Sequence, residues 1–305
     1  MPYPLVDMLL YFFIYSFLGW LMETILCSIN ERRFVNRGFL NGPICPIYGV
    51  GLSLIFIFLI PVRDRIENIF VEVVVIFLCG TMLATIVEYL VSWLMEKLFH
   101  ARWWDYSDYK YNINGRVALV ISMAWGFLSV GVLYWAQPRF EKLVGMLYSA
   151  GERLPRITAA ALLCLLAVDF TVSMFVALRI GEKLRQLEKL GELIHGYVES
   201  LSLPTREEIL KKIEGLYIRA LGKRWQEAGS DPELHKLAFD ALKSRISGII
   251  ADLKQKRESL IEGTRWLQRR MLRAFPRMKI IGGSQSQHDW LERIRKGVKD
   301  KSDQN

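Results

Sequence analysis

An all-α polytopic membrane protein with a helical tail is what this sequence predicts, and three observations predict it. Five apolar stretches are each long enough to cross a hydrocarbon core of about 30 Å, which takes roughly 17–25 helical residues. A polar, glycine-rich segment separates the first two. After the fifth, the chain becomes strongly charged while its apolar residues keep helical spacing.

The spans are Leu5–Ile29, Ile44–Val62, Ile69–Leu98, Val117–Ala136 and Ile157–Leu178. No Lys or Arg precedes the first, its apolar core is too long for a leader, and it lacks a small-residue cleavage pattern, so it reads as a retained helix. The third is overlong, and tilt or protrusion would absorb the excess. Between the first two lies FVNRGFLNGPICPIYGVG, Phe34 to Gly51, with one arginine, two asparagines, two prolines and four glycines. Irregular backbone survives near lipid depth only where protein or water satisfies its N–H and C=O groups. The segment is therefore expected to fold back like a re-entrant loop and line a polar cavity.

Residues 1–180 form the expected transmembrane domain and 181–305 a helical tail. Orientation follows from Lys and Arg near the spans. Arg32, Arg33, Arg37, Lys97, Arg102, Lys110 and Arg116 lie on one face, against Arg63, Arg65, Arg139, Lys142, Arg153 and Arg156 on the other, which is nearly balanced. The tail breaks the tie. Residues 1–178 hold 13 basic and 13 acidic side chains, leaving 27 and 18 of the totals of 40 and 31 for the remainder, which holds the whole excess of +9. A cytoplasmic C-terminus and an outside N-terminus in a bacterial plasma membrane are the expectation.

That topology puts the polar segment and the loop RWWDYSDYKYNINGR, Arg102 to Arg116, on one face. The second loop ends in a turn-forming Asn-Gly pair. Trp20-Leu21-Met22-Glu23 recurs as Trp93-Leu94-Met95-Glu96, and each is followed by a loop with Asn, Gly and Arg. A parallel duplication, a plan known among transporters, would explain the pattern. Trp103, Trp104, Tyr106, Tyr109 and Tyr111 are expected to form an interfacial belt.

Glu23, Glu88 and Asp169 fall within apolar helices, where a charge costs a few kcal/mol and needs a partner or a proton. Arg37 and Arg116 are the natural counterions. Two readings stay open: a buried network that sets helix registry, or arginines free to hold an anion beside reactive carboxylates. Asp169 reads more readily as a paired or protonated core residue than as a cation site. Cys27, Cys45, Cys79 and Cys164 are scattered without ligand spacing, as are the histidines, so no metal or cofactor is implied. No GxxxxGK[ST], GxSxG or HExxH occurs, which excludes a P-loop ATPase and argues against the common hydrolase designs.

In the tail, Leu184, Leu187, Leu190 and Ile194 continue the fifth span toward a break near Pro204. Helices are expected to begin at Thr205, with Glu208 completing a capping box, and at Asp231, with Pro232 following. The second carries Leu234, Ala238, Leu242, Ile246, Ile249 and Leu253 as one stripe, so a small antiparallel bundle is expected. Arg265 to Lys279 is basic and amphipathic. Trp266, Arg269, Arg270 and Arg273 there suit an anionic leaflet, or else the basic face of a bundle helix. Nothing resembles a nucleic-acid-binding module.

The words FLGWLMET (Phe17 to Thr24), FVNRGFLNGPICPIYG (Phe34 to Gly49), Glu88-Tyr89, WWDYS (Trp103 to Ser107) and NINGR (Asn112 to Arg116) occur in an order that resembles the family called putative ABC-transporter type IV, or CmpB-like permeases. About the first 135 positions carry the resemblance, and AFPRM at Ala274 to Met278 is similar to longer members. The resemblance implies the membrane component of a transporter, with a separate ATPase subunit as partner. The site expected from the residues comprises Glu23, Asn36, Arg37, Asn41, Tyr48, Glu88, Asp105, Asn114 and Arg116, open to the cytoplasm. The alternatives are a membrane enzyme acting on a lipid or lipid-linked phosphate headgroup, gripped by Arg37 and Arg116 with Glu23, Glu88 or Asp105 as acid or base, and a scaffold whose tail recruits partners. A homo-oligomer is left open.

Overall fold

A computed structural model describes residues 2–99, 101–201, 232–276, 278–280, 291 and 292, with backbone only over 232–239. Helices α1 (Leu5–Glu31), α2 (Pro46–Arg63) and α3 (Ile69–Phe99) are followed by a two-residue hairpin, Asn112–Ile113 against Val117–Ala118. Then come α4 (Leu119–Gly131), a π-helical turn (Val132–Ala136), α5 (Gln137–Ala150), α6 (Leu154–Leu201), α7 (Pro232–Glu262) and α8 (Trp266–Ala274). Five helical rods among the described residues are long and apolar enough to cross a membrane, the fourth being the continuous stretch Leu119–Ala150.

The fourth rod differs from the expected span Val117–Ala136. Val117 and Ala118 pair as strand, and the helix runs on to Ala150, carrying Arg139 and Lys142 on α5 rather than in a loop. Pro138 explains the π turn just before it. Its ring excludes the carbonyl four residues back and it has no N–H to donate, so the preceding turn widens. Gln137, buried beside it, accepts a 2.8 Å hydrogen bond from the Tyr15 hydroxyl.

Two helical hairpins form the membrane unit, and small residues set how closely their helices approach. Between α1 and α2, a Cβ on Gly19 would lie 2.2 Å from the Tyr48 ring, and one on Gly49 2.2 Å from Ser16 Oγ. Between α3 and α4, a Cβ on Gly80 would lie 2.5 Å from Ser129 Oγ, and one on Gly126 2.1 Å from Thr81 Oγ1. α2 also packs on α3, joining the hairpins around Tyr11, Ile55, Phe56, Ile76 and Leu133. The outward faces are apolar: Phe70, Met82, Leu165 and Val168 are each more than 60% exposed, as lipid-facing side chains are.

The polar segment does fold back. α1 ends in a left-handed cap at Arg32, whose N–H reaches the Ser28 and Ile29 carbonyls. The chain then runs down α1: Val35 N–H donates to Ser28 Oγ, Arg37 N–H to Thr24 Oγ1, and Cys45 N–H to the Ser16 carbonyl. From Ser28 to Ser16 this descends about 18 Å at 1.5 Å per residue. Irregular backbone ends at Cys45, and the Pro46–Gly51 part of the expected loop forms the first six residues of α2, with proline at a position that needs no N–H.

Met1–Arg179 together with Leu267–Ile281 forms one compact unit, so the basic segment near the end of the chain groups with the membrane helices rather than with the tail. Ile180–Trp266 belongs to a second unit. There the stripes are buried at Leu184, Leu187, Leu190, Leu242 and Ile246, and Lys183 Nζ donates to Thr264 Oγ1 at 3.0 Å. The expected break at Pro204 and helix start at Thr205 lie outside the described residues; the later helix is present from Pro232.

Candidate functional site

The fold-back of the polar loop brings its residues against carboxylates that the sequence places far away. Arg37 Nε meets Glu23 Oε2 at 2.8 Å, and the Tyr48 hydroxyl donates to the other oxygen, Glu23 Oε1, also at 2.8 Å. The Arg37 guanidinium further donates to the Ala274 carbonyl and lies 4.7 Å from the centre of the Phe275 ring. One turn into α2, Tyr48 is fixed by its ring, which packs 4.9 Å from Trp125 of α4.

Glu88 on α3 supplies a second carboxylate. It is 5% exposed, and Oε1 accepts a 3.0 Å hydrogen bond from the Tyr106 hydroxyl. The Trp125 indole approaches the same carboxyl, but Oε2 completes no hydrogen bond among the described residues. A buried oxygen without a donor forfeits its hydration for nothing in return.

Glu23, Arg37, Tyr48, Glu88 and Tyr106 border one cavity of about 300 Å³. Its other walls are apolar and aromatic, with Phe39 and Leu40 from the loop, Leu98 and Phe99 from α3, Trp104, Trp125, Phe170 and Met174, and Phe275 at the rim. A concave apolar site with a few convergent polar groups is the usual form of a small-molecule pocket.

The other sequence-predicted residues are spent elsewhere. Asn36 accepts from Trp20 Nε1 at 2.7 Å and donates to the Asn41 carbonyl, bracing the loop. Asn41 donates its backbone and side-chain N–H groups to Asp169 Oδ1 at 3.0 and 2.8 Å, and Gly42 N–H donates to Oδ2 at 2.7 Å. Asp169 is thus a loop anchor on α6, held by hydrogen bonds from Asn41 and Gly42. Arg116 pairs with Glu96 at 2.9 Å rather than with Glu23 or Glu88. Glu96 also meets Arg102 at 3.1 Å, and Arg102 reaches Asp105 at 3.3 Å, which in turn meets Lys279 at 3.2 Å. Although burial works the other way, hydrogen bonds from Ser107 and Lys279 hold the Asp105 carboxyl below its ordinary value. Asn114 sits in the hairpin turn, donating to the Tyr89 hydroxyl at 3.1 Å.

Two aromatic residues expected in an interfacial belt are turned inward. Trp103 is 1% exposed among Phe39, Phe99 and Phe275, and Tyr106 binds Glu88. Of the residues expected on a lipid surface, Arg270 is directed instead to the Phe39 carbonyl at 3.1 Å, and burial pulls its guanidinium below the ordinary value despite the charge of Asp169 nearby. Trp266 is 70% exposed. Arg102 and Lys279 exchange two backbone hydrogen bonds of 2.8 Å, so the segment after α8 is stitched to the second polar loop as Arg37 ties it to the first. Sequence reasoning missed Tyr106, Trp125 and Phe275 as cavity residues. The WWDYS word marked Tyr106, while nothing local distinguishes Trp125 or Phe275.

Five apolar rods around an interior cavity that carries charged residues define a polytopic helical membrane protein with an internal polar site. Residues 10–174 match the family described as Putative ABC-transporter type IV, and the chain belongs to that family. No curated protein and no solved structure matches it.

Proposed function

We propose that this chain is the membrane-embedded permease component of a transporter, and that the cavity bordered by Glu23, Arg37, Tyr48, Glu88 and Tyr106 holds the solute. The observation that carries the reading is the cavity itself, lined by residues of the membrane unit and mixing aromatic walls with an ion pair and a second carboxylate. Family membership supports the transport context. With no P-loop in the chain, ATP would act through a separate subunit. The surplus of basic residues after the fifth span supports a cytoplasmic C-terminus, so that the two polar loops, both tied to the segment 267–281, face the cytoplasm.

The lipid-headgroup alternative is weaker on one observation: Arg37 and Arg116, its phosphate-gripping groups, are each already held by a carboxylate. Detergent extraction of the tagged chain from its native membrane should recover an ATPase, and the reconstituted pair should move solute in an ATP-dependent way. Transport by the purified chain alone would reject ATP coupling, and turnover of a lipid by the chain alone would reject the permease reading. Cysteine labelling should find the loop between α2 and α3 outside and the loop between α1 and α2 inside.

A further inference from the structure

We infer that the cavity selects an organic amine with an apolar, aromatic-sized body, its protonated nitrogen docking on Glu88 Oε2; this rests on the cavity being the solute site. Charge is the first reason. Among the described residues the cavity is bordered by two carboxylates and one guanidinium, and that guanidinium is committed to Glu23, so the surplus acidic group there is Glu88. Partnering is the second. Glu88 is only 5% exposed, its Oε1 is occupied by Tyr106, and its Oε2, although the Trp125 indole approaches the same carboxyl, completes no hydrogen bond among the described residues; being itself covered, it meets a ligand once the carboxyl turns toward the cavity. A ligand N–H supplies the missing donor, and an ammonium group does so with charge assistance.

The walls agree with this. Trp125 and Tyr106 line the cavity near the carboxylate together with Phe39, Phe99 and aliphatic side chains, an aromatic-rich wall of the kind that accommodates a cation and its apolar body. An anion would find the Arg37 guanidinium already neutralised by Glu23 and would face Glu88. A neutral apolar molecule would fit the walls but leave Oε2 orphaned.

The test compares three probes of one shape, naphthylethylamine, naphthylethanol and naphthylacetate, by equilibrium dialysis against the full chain in a neutral maltoside detergent. The wild type should bind the amine about 10-fold more tightly than the alcohol, whose hydroxyl can also donate to the carboxylate but carries no charge. Glu88→Gln should remove that preference while leaving alcohol binding within about twofold, since only the donor-acceptor match changes. Glu88→Asp, which keeps the charge and retracts the oxygen, should weaken the preference without abolishing it. Glu96→Gln makes the same chemical change outside the cavity and should preserve it.

Equal binding of amine and alcohol, tightest binding of the acetate, or a preference that survives Glu88→Gln would each overturn the assignment. Because binding is read without transport, the two proposals fail separately. A chain that binds the amine through Glu88 but transports nothing with any ATPase retains the amine site and loses the permease reading. A chain that transports a solute with no dependence on Glu88 loses the amine site alone.

Discussion

The two polar loops begin from the same four residues, Trp-Leu-Met-Glu, and end in opposite electrostatic situations. After α1, Glu23 meets one arginine, Arg37, and the pair borders an apolar cavity. After α3, Glu96 meets both Arg116 and Arg102, and the chain of charges continues through Asp105 to Lys279 without touching the cavity. The difference lies in where each loop goes next. The first descends along α1 to Ser16 and delivers Tyr48 and Phe39 to the interior; the second closes at once in a hairpin whose Asn114 and Gly115 both have positive φ. A sparse pair beside a cavity is sensitive to losing one member, whereas a branched network has partners in reserve.

The largest expected effect tests the sparse pair. Arg37→Ala should lower stability by about 3 kcal/mol, the lower edge for stripping one partner from a buried ion pair, because the Glu23 side chain keeps 30% exposure. Thermal unfolding in detergent measures it, and adding Glu23→Gln should recover part of the loss, since the isolated charge is then gone. A double variant no better than Arg37→Ala would assign the cost to the Ala274 and Phe275 contacts instead.

Next in size is the hairpin that closes the second loop. Gly115 has φ +67°, and a Cβ there would lie 2.5 Å from both Asp105 Oδ1 and Ser107 Oγ. Gly115→Ala should therefore cost about 2 kcal/mol through strain and overpacking. By contrast Arg116→Ala should cost only about 1 kcal/mol, the net worth of one hydrogen bond when no charge is left unpaired, because Glu96, though no more exposed than Glu23, retains Arg102. If Arg116→Ala were as damaging as Arg37→Ala, the contrast between the loops would collapse.

The smallest effect is titratable. Lys279, with its side chain 56% exposed, should contribute under about 1 kcal/mol through Asp105. Asp105 is held below its ordinary value of 3.8 in the folded chain, so the stability it contributes is fully present above the unfolded value and is lost as pH falls through the folded one. Wild type and Lys279→Ala should therefore differ near neutrality and converge in acid, below about pH 3.8. A gap that widens on acidification would show that Lys279 acts on another group.

Much of the membrane helix pattern was legible in the chain because it rests on local physics. Runs of apolar residues long enough for a bilayer are visible without partners, as is the Asn-Gly turn. The Glu23–Arg37 pairing was within reach too, since both residues lie on one face of the predicted topology. Other assignments failed for reasons outside the window. Pro138 widened a helix where a span was expected to end, and Trp103 and Tyr106 looked like belt residues because an aromatic residue in a polar loop carries no sign of which way it turns.

The sequence by itself determined the five rods, the polar loop that must be satisfied internally and the displacement of positive charge to the tail, because length, hydropathy and charge are sums over neighbouring residues. Only the tertiary structure decided which carboxylate is paired and which is left with an empty oxygen. Glu23 and Glu88 are alike in sequence, each an acid set among apolar residues of a long helix. The descent of one loop along α1 brings Arg37 and Tyr48 to the first, whereas the second receives Tyr106 and the approach of the Trp125 indole but, among the described residues, no cation. Long-range placement sets that asymmetry, since a buried charge responds to the donors that the fold brings within about 3 Å of it and not to its neighbours in the chain.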